Sequence, residues 1–284
     1  MSSSEIAESA EMSWRQNLQL GLRTIIGRAY PRLVMALRNP EWFFYDVALP
    51  LLRVVAFALV YQALKAPQQY IGFIILGGAM TAFWLNVLWM MAGQLHWERS
   101  TGNLELYLMA PPSMLWILAG MAFGGMISTC VRAFLIVAVG SLLFHVVYQI
   151  VSLPLLLLVF LLTLVALYGL GSMLASLYLL YNREVWMLLD VIQEPVSLLT
   201  GFYFPVRTLG GLVGGIASLI PLTLGLDAMR QLLFPHGWPS FLPLNIEMVG
   251  QAALVILFLV TAAWSFKVIE RLAKVEGRLS LKWQ

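Results

Sequence analysis

Long runs of apolar residues, separated by short polar breaks, dominate the pattern of this 284-residue chain. Two runs, at residues 42–64 and 70–93, are each long enough to cross the roughly 30 Å hydrocarbon core of a bilayer. A longer apolar stretch at 113–181 would extend to roughly 100 Å as one helix at 1.5 Å per residue. It must therefore turn, and the segment 145–154 is the best place for the turn. The pattern predicts spans one to four.

Two further spans are predicted after the polar triplet at 182–184. The fifth covers residues 185–204 and the sixth covers residues 244–266. The segment between them, 205–239, is apolar but interrupted by glycine and proline. It predicts short re-entrant helices in the outer leaflet, because broken backbone is tolerated at membrane depth only where protein or a water-filled cavity covers it. The predicted fold is thus an all-α polytopic membrane protein with a six-span domain at 42–266.

The chain before span one has a different pattern. Residues 1–13 are polar and read as a disordered cytosolic tail. Residues 14–41 alternate apolar residues at three-four spacing with arginines, which predicts an amphipathic helix lying in the membrane interface. Pro31 should break or kink this helix. It is either a plain surface anchor or a surface for a cytosolic partner. At the other end, residues 267–284 form a basic tail.

Composition and charge agree with a membrane protein. The chain is 61% hydrophobic and only 11% charged, whereas soluble domains carry about 25% charged residues. Twelve lysines and arginines fall on one predicted side of the membrane and three on the other. The positive-inside rule places both termini and the loop 94–112 in the cytosol of a cell-membrane protein. The net charge of +3 follows from this topology and indicates no nucleic-acid partner.

The loop 94–112 contains a short polar helix with stops at both ends. Thr101 or Asn103 can cap it, Glu105 lies in its first turn, and Pro111 and Pro112 end it. Two turns are too short to be stable alone in water, so the helix needs a socket. The residues expected to fill that socket are Leu104, Leu106, Tyr107 and Leu108.

Two separated motifs resemble those of a known family. The first consists of Glu98, then Gly102-Asn103-Leu104-Glu105, then Pro111. The second consists of Thr200-Gly201-Phe202-Tyr203-Phe204-Pro205, then Pro221-Leu222-Thr223, Asp227 and Arg230. In this pattern and in segment order the chain resembles the transmembrane subunits of type-2 ATP-binding-cassette exporters. Asn103 stands where threonine is commoner, and Thr200 stands where serine is commoner.

The resemblance implies roles and partners. The loop would be the coupling helix that docks into an ATPase, through Glu98, Gly102, Leu104, Glu105 and Leu108. The outer gate would include Gly201, Phe202, Tyr203, Phe204, Pro205, Pro221, Asp227 and Arg230. Two permease chains, identical or related, would sit in membrane lipid above two ATPase subunits. ATP and Mg would bind those partners, since this chain has no G-x-x-x-x-G-K-[ST] phosphate loop. No catalytic residues, metal site or cofactor of its own are predicted, so the chain itself is not expected to be an enzyme.

Charged residues also lie within the apolar runs. Arg53 is midway along span one, and Asp190 and Glu194 are four apart on span five. A charge at the bilayer centre costs about 2.5 to 3.5 kcal/mol on insertion scales, so we expect Arg53 to pair with one of these acids. This pair is either an inter-helix tie or a contact for substrate or gating. Asp227 and Arg230, three apart, suggest a local ion pair.

Span two carries a set of adaptable apolar side chains: Met80, Phe83, Trp84 and Trp89. They either line a path for a hydrophobic or amphipathic substrate, such as a drug or a lipid-like compound, or pack in the core. The expected function is a permease subunit of an ATP-driven exporter. A glycan-lipid exporter of the same family and an ATPase-independent secondary carrier are the alternatives. No internal repeat relates residues 42–148 to 150–266, as many secondary carriers would show.

Overall fold

The computed structural model describes residues 14–93, 98, 101–110, 112–180, 185–235 and 239–276, and the regular structure in this part is helical. The helices are α1 (Trp14–Arg38), α2 (Pro40–Ala63), α3 (Gln68–Leu85, continuing as a π-helix over Asn86–Ala92), α4 (Asn103–Met109), α5 (Met114–Phe144), α6 (Leu153–Leu180), α7 (Val185–Leu199), α8 (Gly210–Ala217), α9 (Pro221–Leu233) and α10 (Leu244–Glu276). A 3₁₀ turn at Val206–Leu209 precedes α8.

Five helices in the described part are long and apolar enough to cross a membrane. The membrane segments are Pro40–Ala63, Gln68–Met91, Met114–Phe144, Leu153–Ser176 and Leu244–Val268. They match predicted spans one to four and the final span, and they confirm an all-helical, multi-pass membrane protein. The turn between α5 and α6 lies at 145–152, where the polar break predicted it.

The predicted fifth span is shorter in the structure than in the sequence pattern. Its helix α7 has 15 residues and contains Pro195, so it extends only about 22 Å. The chain leaves the helix at Thr200, and Gly201 follows with φ of 68°, a conformation that glycine adopts without strain. The count of six spans and the re-entrant arrangement of α8 and α9 remain predictions.

Helix α3 forms the centre of the fold. Nearly every residue from Ile71 to Trp84 is buried, as expected for a helix that is apolar on all sides. It packs against α2, α5 and α9. The main core cluster joins its side chains to residues of α6 and α9, including Val159, Leu222 and Met229.

Helix α1 lies along the first half of α5 and does not end at Pro31. Gly120 and Gly124 of α5 face the backbone of Ile25 and Ala29, and a Cβ at either glycine would lie 2.9 Å from the facing Cα. Backbone-to-backbone packing of this kind is typical of small residues spaced four apart. The opposite side of α1 exposes Leu22, Ile26 and Tyr30, which suits contact with lipid.

Candidate functional site

The loop between α3 and α5 contains the predicted two-turn helix, α4, at Asn103–Met109. Gly102 precedes it with φ of 77°, a left-handed conformation that costs roughly 1–2 kcal/mol for a residue with a side chain. After α4, Ala110 is extended, with ψ of 146°, as the residue before a proline prefers. The helix therefore begins and ends where the glycine and the prolines predicted.

Glu98 is the centre of a polar network under this helix. It is 9% exposed, and its carboxylate accepts a hydrogen bond from Asn103 Nδ2 at 3.0 Å. The Glu98 carbonyl oxygen accepts one from Thr101 Oγ1 at 3.2 Å. The prediction that Thr101 or Asn103 caps α4 is wrong: Gly102 occupies the N-cap position without a side-chain cap, and the two polar side chains bind Glu98 instead. The network fixes the geometry in which the chain enters α4.

Tyr107 attaches α4 to the rest of the fold. The Arg28 guanidinium of α1 lies 4.0 Å from the centre of the Tyr107 ring, in cation–π range. The hydroxyl also hydrogen-bonds Glu98; burial, followed by this carboxylate, raises the pKa of Tyr107. The ring packs against an inner cluster that includes Met114, Met121 and Phe266. Tyr107 was expected to help fill a socket for this helix, and the socket it occupies is formed by its own chain.

Two of the described side chains of α4 are apolar and exposed. Leu106 is 59% exposed and Met109 is 75% exposed. The backbone of the predicted coupling residues Leu104, Glu105 and Leu108 lies in α4, while their side chains fall outside the description, as does Pro111. Tyr107 and Glu98 thus attach this short helix to the rest of the chain, while Leu106 and Met109 are exposed to solvent.

The predicted outer-gate residues form a closed cluster. Arg230 on α9 is fully buried, and it donates hydrogen bonds to the carbonyl oxygens of Gly201 at 2.8 Å, Phe202 at 3.0 Å and Phe73 at 3.2 Å. Its guanidinium lies against the Phe73 ring. The arginine thereby joins α9 to α3 and to the turn after α7.

The neighbouring gate residues are also largely buried. Phe202 and Pro205 are buried and Phe204 is half-buried. Pro221 is the first residue of α9 and is buried as well. The Tyr203 ring stacks on Phe57 of α2 with centroids 4.3 Å apart and planes at 8°. Aromatic contact therefore connects the gate motif to the first span.

Asp227 acts electrostatically on Arg230, one turn away on α9. Its carboxylate accepts a hydrogen bond from the Phe241 N–H at 2.8 Å and lies beside Glu247 of α10. Glu247 in turn accepts a hydrogen bond from Gln231 Nε2 at 2.7 Å. The two residues expected to form a local pair thus belong to a larger network that connects α9 with α10.

The charges predicted within the spans lie in different surroundings. Arg53 is exposed on α2 and Glu194 is exposed on α7, and both interact electrostatically with the Tyr203 hydroxyl. The Asp190 side chain is outside the described residues. Pairing of Arg53 with either acid remains a prediction. Reversing Arg53 and Glu194 together should restore the expression lost in each single reversal, and failure to do so would count against this pair.

An ion pair that the pattern did not suggest joins Asp46 of α2 to Arg132 of α5. Arg132 also donates to Ser128 Oγ and Thr129 Oγ1, both at 3.3 Å. The available signal was that each residue interrupts an apolar run, which marks intramembrane ionisable residues as candidates for function. Their pairing depends on how α2 and α5 pack, and the spacing of the residues does not encode that.

Span two carries the residues predicted for a substrate path. Met80, Phe83 and Trp84 are buried in the core of the single chain. Trp89 is half-buried and donates a hydrogen bond from Nε1 to Gln193 Oε1 of α7 at 3.0 Å. No cluster of three or more potential metal ligands occurs among the described residues.

The described residues thus form an apolar helical bundle of a multi-pass membrane protein, with the short helix α4 held in the loop between α3 and α5. The model of the ABC-2 type transporter family matches residues 31–234. This match covers more than half of the chain and includes both motifs, and the chain belongs to that family. No curated protein matches the chain.

Proposed function

We propose that the chain is the permease subunit of an ATP-driven exporter for a hydrophobic or amphipathic substrate. The observation that carries the proposal is α4, a two-turn helix that exposes Leu106 and Met109 while Tyr107 and Glu98 hold it to its own chain. Such a helix can transmit motion. A partner that binds its exposed side chains would also displace α1 and α5, which Tyr107 contacts. The family match supports an ATPase as that partner.

The proposed assembly has two permease chains and two ATPase subunits, with six spans per permease and both termini in the cytosol. Contact between permeases is proposed through α2 and α7. These helices expose apolar side chains along their length, among them Leu52, Leu59 and Val60 on α2 and Val191 and Leu198 on α7. Such a row of exposed apolar residues suits lipid or a second helix equally. Cysteines at Val60 and Leu198 should cross-link two chains, and cross-links only through α5 and α6 would contradict the arrangement.

The test of coupling replaces one exposed residue of α4. Leu106→Asp lies outside the membrane segments, so insertion should be normal. A carboxylate placed in an apolar groove without a partner should cost about 2.8 kcal/mol, which is about a hundredfold in affinity. The measurements are pull-down of a co-expressed ATP-binding-cassette ATPase subunit and ATP-dependent transport in membrane vesicles. Leu106→Met is the matched control and should behave as wild type.

The outcomes separate the candidate functions. Loss of ATPase association and of transport in Leu106→Asp supports the proposal. Full association and transport in this variant would remove the coupling role of α4. Transport that continues in vesicles without any ATPase would instead identify a secondary carrier. Glycan-lipid cargo, the alternative within the family, would be recognised by ATP-dependent export of a lipid-linked sugar.

A further inference from the structure

A cavity of about 320 Å³ lies between α1, the start of α2, the π-helical part of α3, and α5. This volume is in the range of roughly 300–1,000 Å³ that is usual for small-molecule sites. The cavity is distinct from the coupling loop and from the outer gate. Its polar lining includes Arg32, Asp46, Asn86, Ser128 and Arg132.

Two guanidinium groups and one carboxylate line this cavity. Arg132 is paired with Asp46, while Arg32 donates hydrogen bonds to the carbonyl oxygens of Met121, at 2.7 Å, and Met90. Burial lowers the pKa of Arg32, and the nearby Arg132 acts in the same direction, whereas Tyr168 and Glu98 oppose it. The cavity lining therefore carries one more positive charge than negative charges. An anion between the two guanidiniums would relieve their repulsion.

The mouth of the cavity is apolar. Met35, Trp42 and Met90 line it and are 63%, 68% and 48% exposed. Methionine adapts its shape to varied apolar ligands, and tryptophan is enriched where a span meets the membrane interface. Since α2 begins its membrane segment here, the mouth opens at the level of the leaflet on the side of the loop 94–112. An acyl chain could rest on these side chains while a headgroup lies inside.

The backbone gives an independent signal for a ligand site. Asn86 and Met90 lie in the seven-residue π-helix Asn86–Ala92, and π-helical turns occur frequently at functional sites. The Met90 carbonyl oxygen accepts a hydrogen bond from Arg32, and Asn86 Oδ1 accepts one from Tyr168 at 3.1 Å. The irregular turn thus places two cavity residues where α1 and α6 can hold them.

From this geometry we propose that the cavity binds the anionic headgroup of an amphiphile, a phosphate ester or a carboxylate, entering from the adjacent leaflet. Arginine is suited to this role because its guanidinium can hold phosphate and carboxylate oxygens in bidentate fashion. The inference concerns binding and does not depend on the export proposal. The charges of the lining also predict an order of binding among variants.

The experiment uses the purified full-length chain in detergent with equal amounts of dioleoyl phosphatidic acid and dioleoyl phosphatidylcholine. Retained lipids are counted by native mass spectrometry. Wild type should retain at least about tenfold more phosphatidic acid than phosphatidylcholine, as expected for one additional charge-assisted hydrogen bond. Asp46→Asn should increase this ratio, Arg132→Gln should bring it close to one, and the double variant, which has the wild-type charge sum, should return to about the wild-type ratio.

Controls distinguish the site from general effects of charge. Arg23→Gln removes an exposed arginine of α1 and should leave the ratio unchanged. The expected gain in Asp46→Asn cannot result from misfolding. Inorganic phosphate alone should not displace the phosphatidic acid at equal concentration. Equal retention of both lipids by wild type, the same change in Arg23→Gln, a shift of Asp46→Asn and Arg132→Gln in one direction, or full displacement by inorganic phosphate would each overturn the proposal.

Discussion

Arginines of the gate motif and arginines near the loop 94–112 differ in how fully the protein encloses them. At the gate motif, Arg230 is fully buried and its guanidinium is held by three backbone carbonyl oxygens and an aromatic ring. Beside the loop 94–112, Arg28 lies on the Tyr107 ring and Arg32 lines a cavity with an exposed mouth. The first arrangement is closed and leaves little room for a ligand. The second is open to partners and lipid.

The difference shows that burial alone does not indicate the role of a charged residue within a membrane protein. A guanidinium surrounded by carbonyl oxygens on several elements acts as a tie, because its removal leaves those oxygens without a donor. A guanidinium beside a cavity can exchange its contacts when a ligand enters. The predictions below test this contrast, starting with the largest effect.

Replacing Arg230 should have the largest effect. Arg230→Met retains the approximate length of the side chain but leaves the carbonyl oxygens of Gly201, Phe202 and Phe73 without this donor. At about 1–3 kcal/mol for each unsatisfied buried group, the variant should lose at least about 3 kcal/mol of stability. The measurement is thermal unfolding of purified protein followed by fluorescence-detected size exclusion.

The control for this prediction is Arg207→Met in the turn Val206–Leu209, which follows the same gate motif. Arg207 is exposed, so its replacement should leave the unfolding temperature within error of wild type. Equal unfolding temperatures for Arg230→Met and wild type would show that the closed cluster is not a stabilising tie.

In the loop 94–112, replacing Tyr107 should affect the proposed coupling more than stability. Tyr107→Ala removes the ring under Arg28 and the hydroxyl that binds Glu98, and the cation–π contact alone contributes about 0.5–2 kcal/mol. We expect ATPase association to persist through the exposed side of α4 while transport per ATP hydrolysed decreases several-fold. The measurement is the ratio of vesicle transport to ATP hydrolysis. Tyr107→Phe, which keeps the ring, should retain most of that ratio, and an equal loss in both variants would contradict a role for the Arg28 contact.

The smallest effects concern two glycines. Gly102→Ala places a side chain at φ of 77° and should cost about 1–2 kcal/mol in the conformation of the loop. Gly27→Ala lies within α1, with no atom within 4 Å of the new Cβ, and should stabilise that helix by about 0.5–1 kcal/mol. The unfolding temperature should fall in Gly102→Ala and rise in Gly27→Ala. An unchanged or higher value in Gly102→Ala would show that the left-handed turn is not required.

Much of this architecture could be predicted from the sequence because lipid imposes a simple rule on span length. Four spans and the last one appear as apolar runs, and α4 appears between a glycine and two prolines. The fifth apolar run was misleading in its length, since the chain turns at Gly201 rather than continuing to 204. Apolar composition does not specify where such a run leaves the helix.

The candidate sites were less predictable because their contacts join residues far apart in sequence. Asp46 and Arg132 are 86 residues apart, and no periodicity connects them. The π-helical turn at Asn86–Ala92 has no signal in the apolar pattern. The sequence predicted that Tyr107 lies in a helix. It did not predict which way the side chain faces, because that depends on its contacts with Arg28 and Glu98. The burial of span two was easier to anticipate, because a helix that is apolar on all sides is expected to lie in the centre of a fold.

The packing of α1 on α5 has a consequence for the order in which the chain is made. The surface that receives Ile25 and Ala29 contains Gly120 and Gly124, so it leaves the ribosome roughly 100 residues later. At about 5–20 residues per second, α1 exists for several seconds before its docking surface has been synthesised. During that time Leu22, Ile26 and Tyr30 offer it an apolar side with which to rest on the membrane. Helix α1 therefore cannot dock on α5 until Gly120 and Gly124 have been made, and its exposed apolar side suits contact with the bilayer surface in the interval.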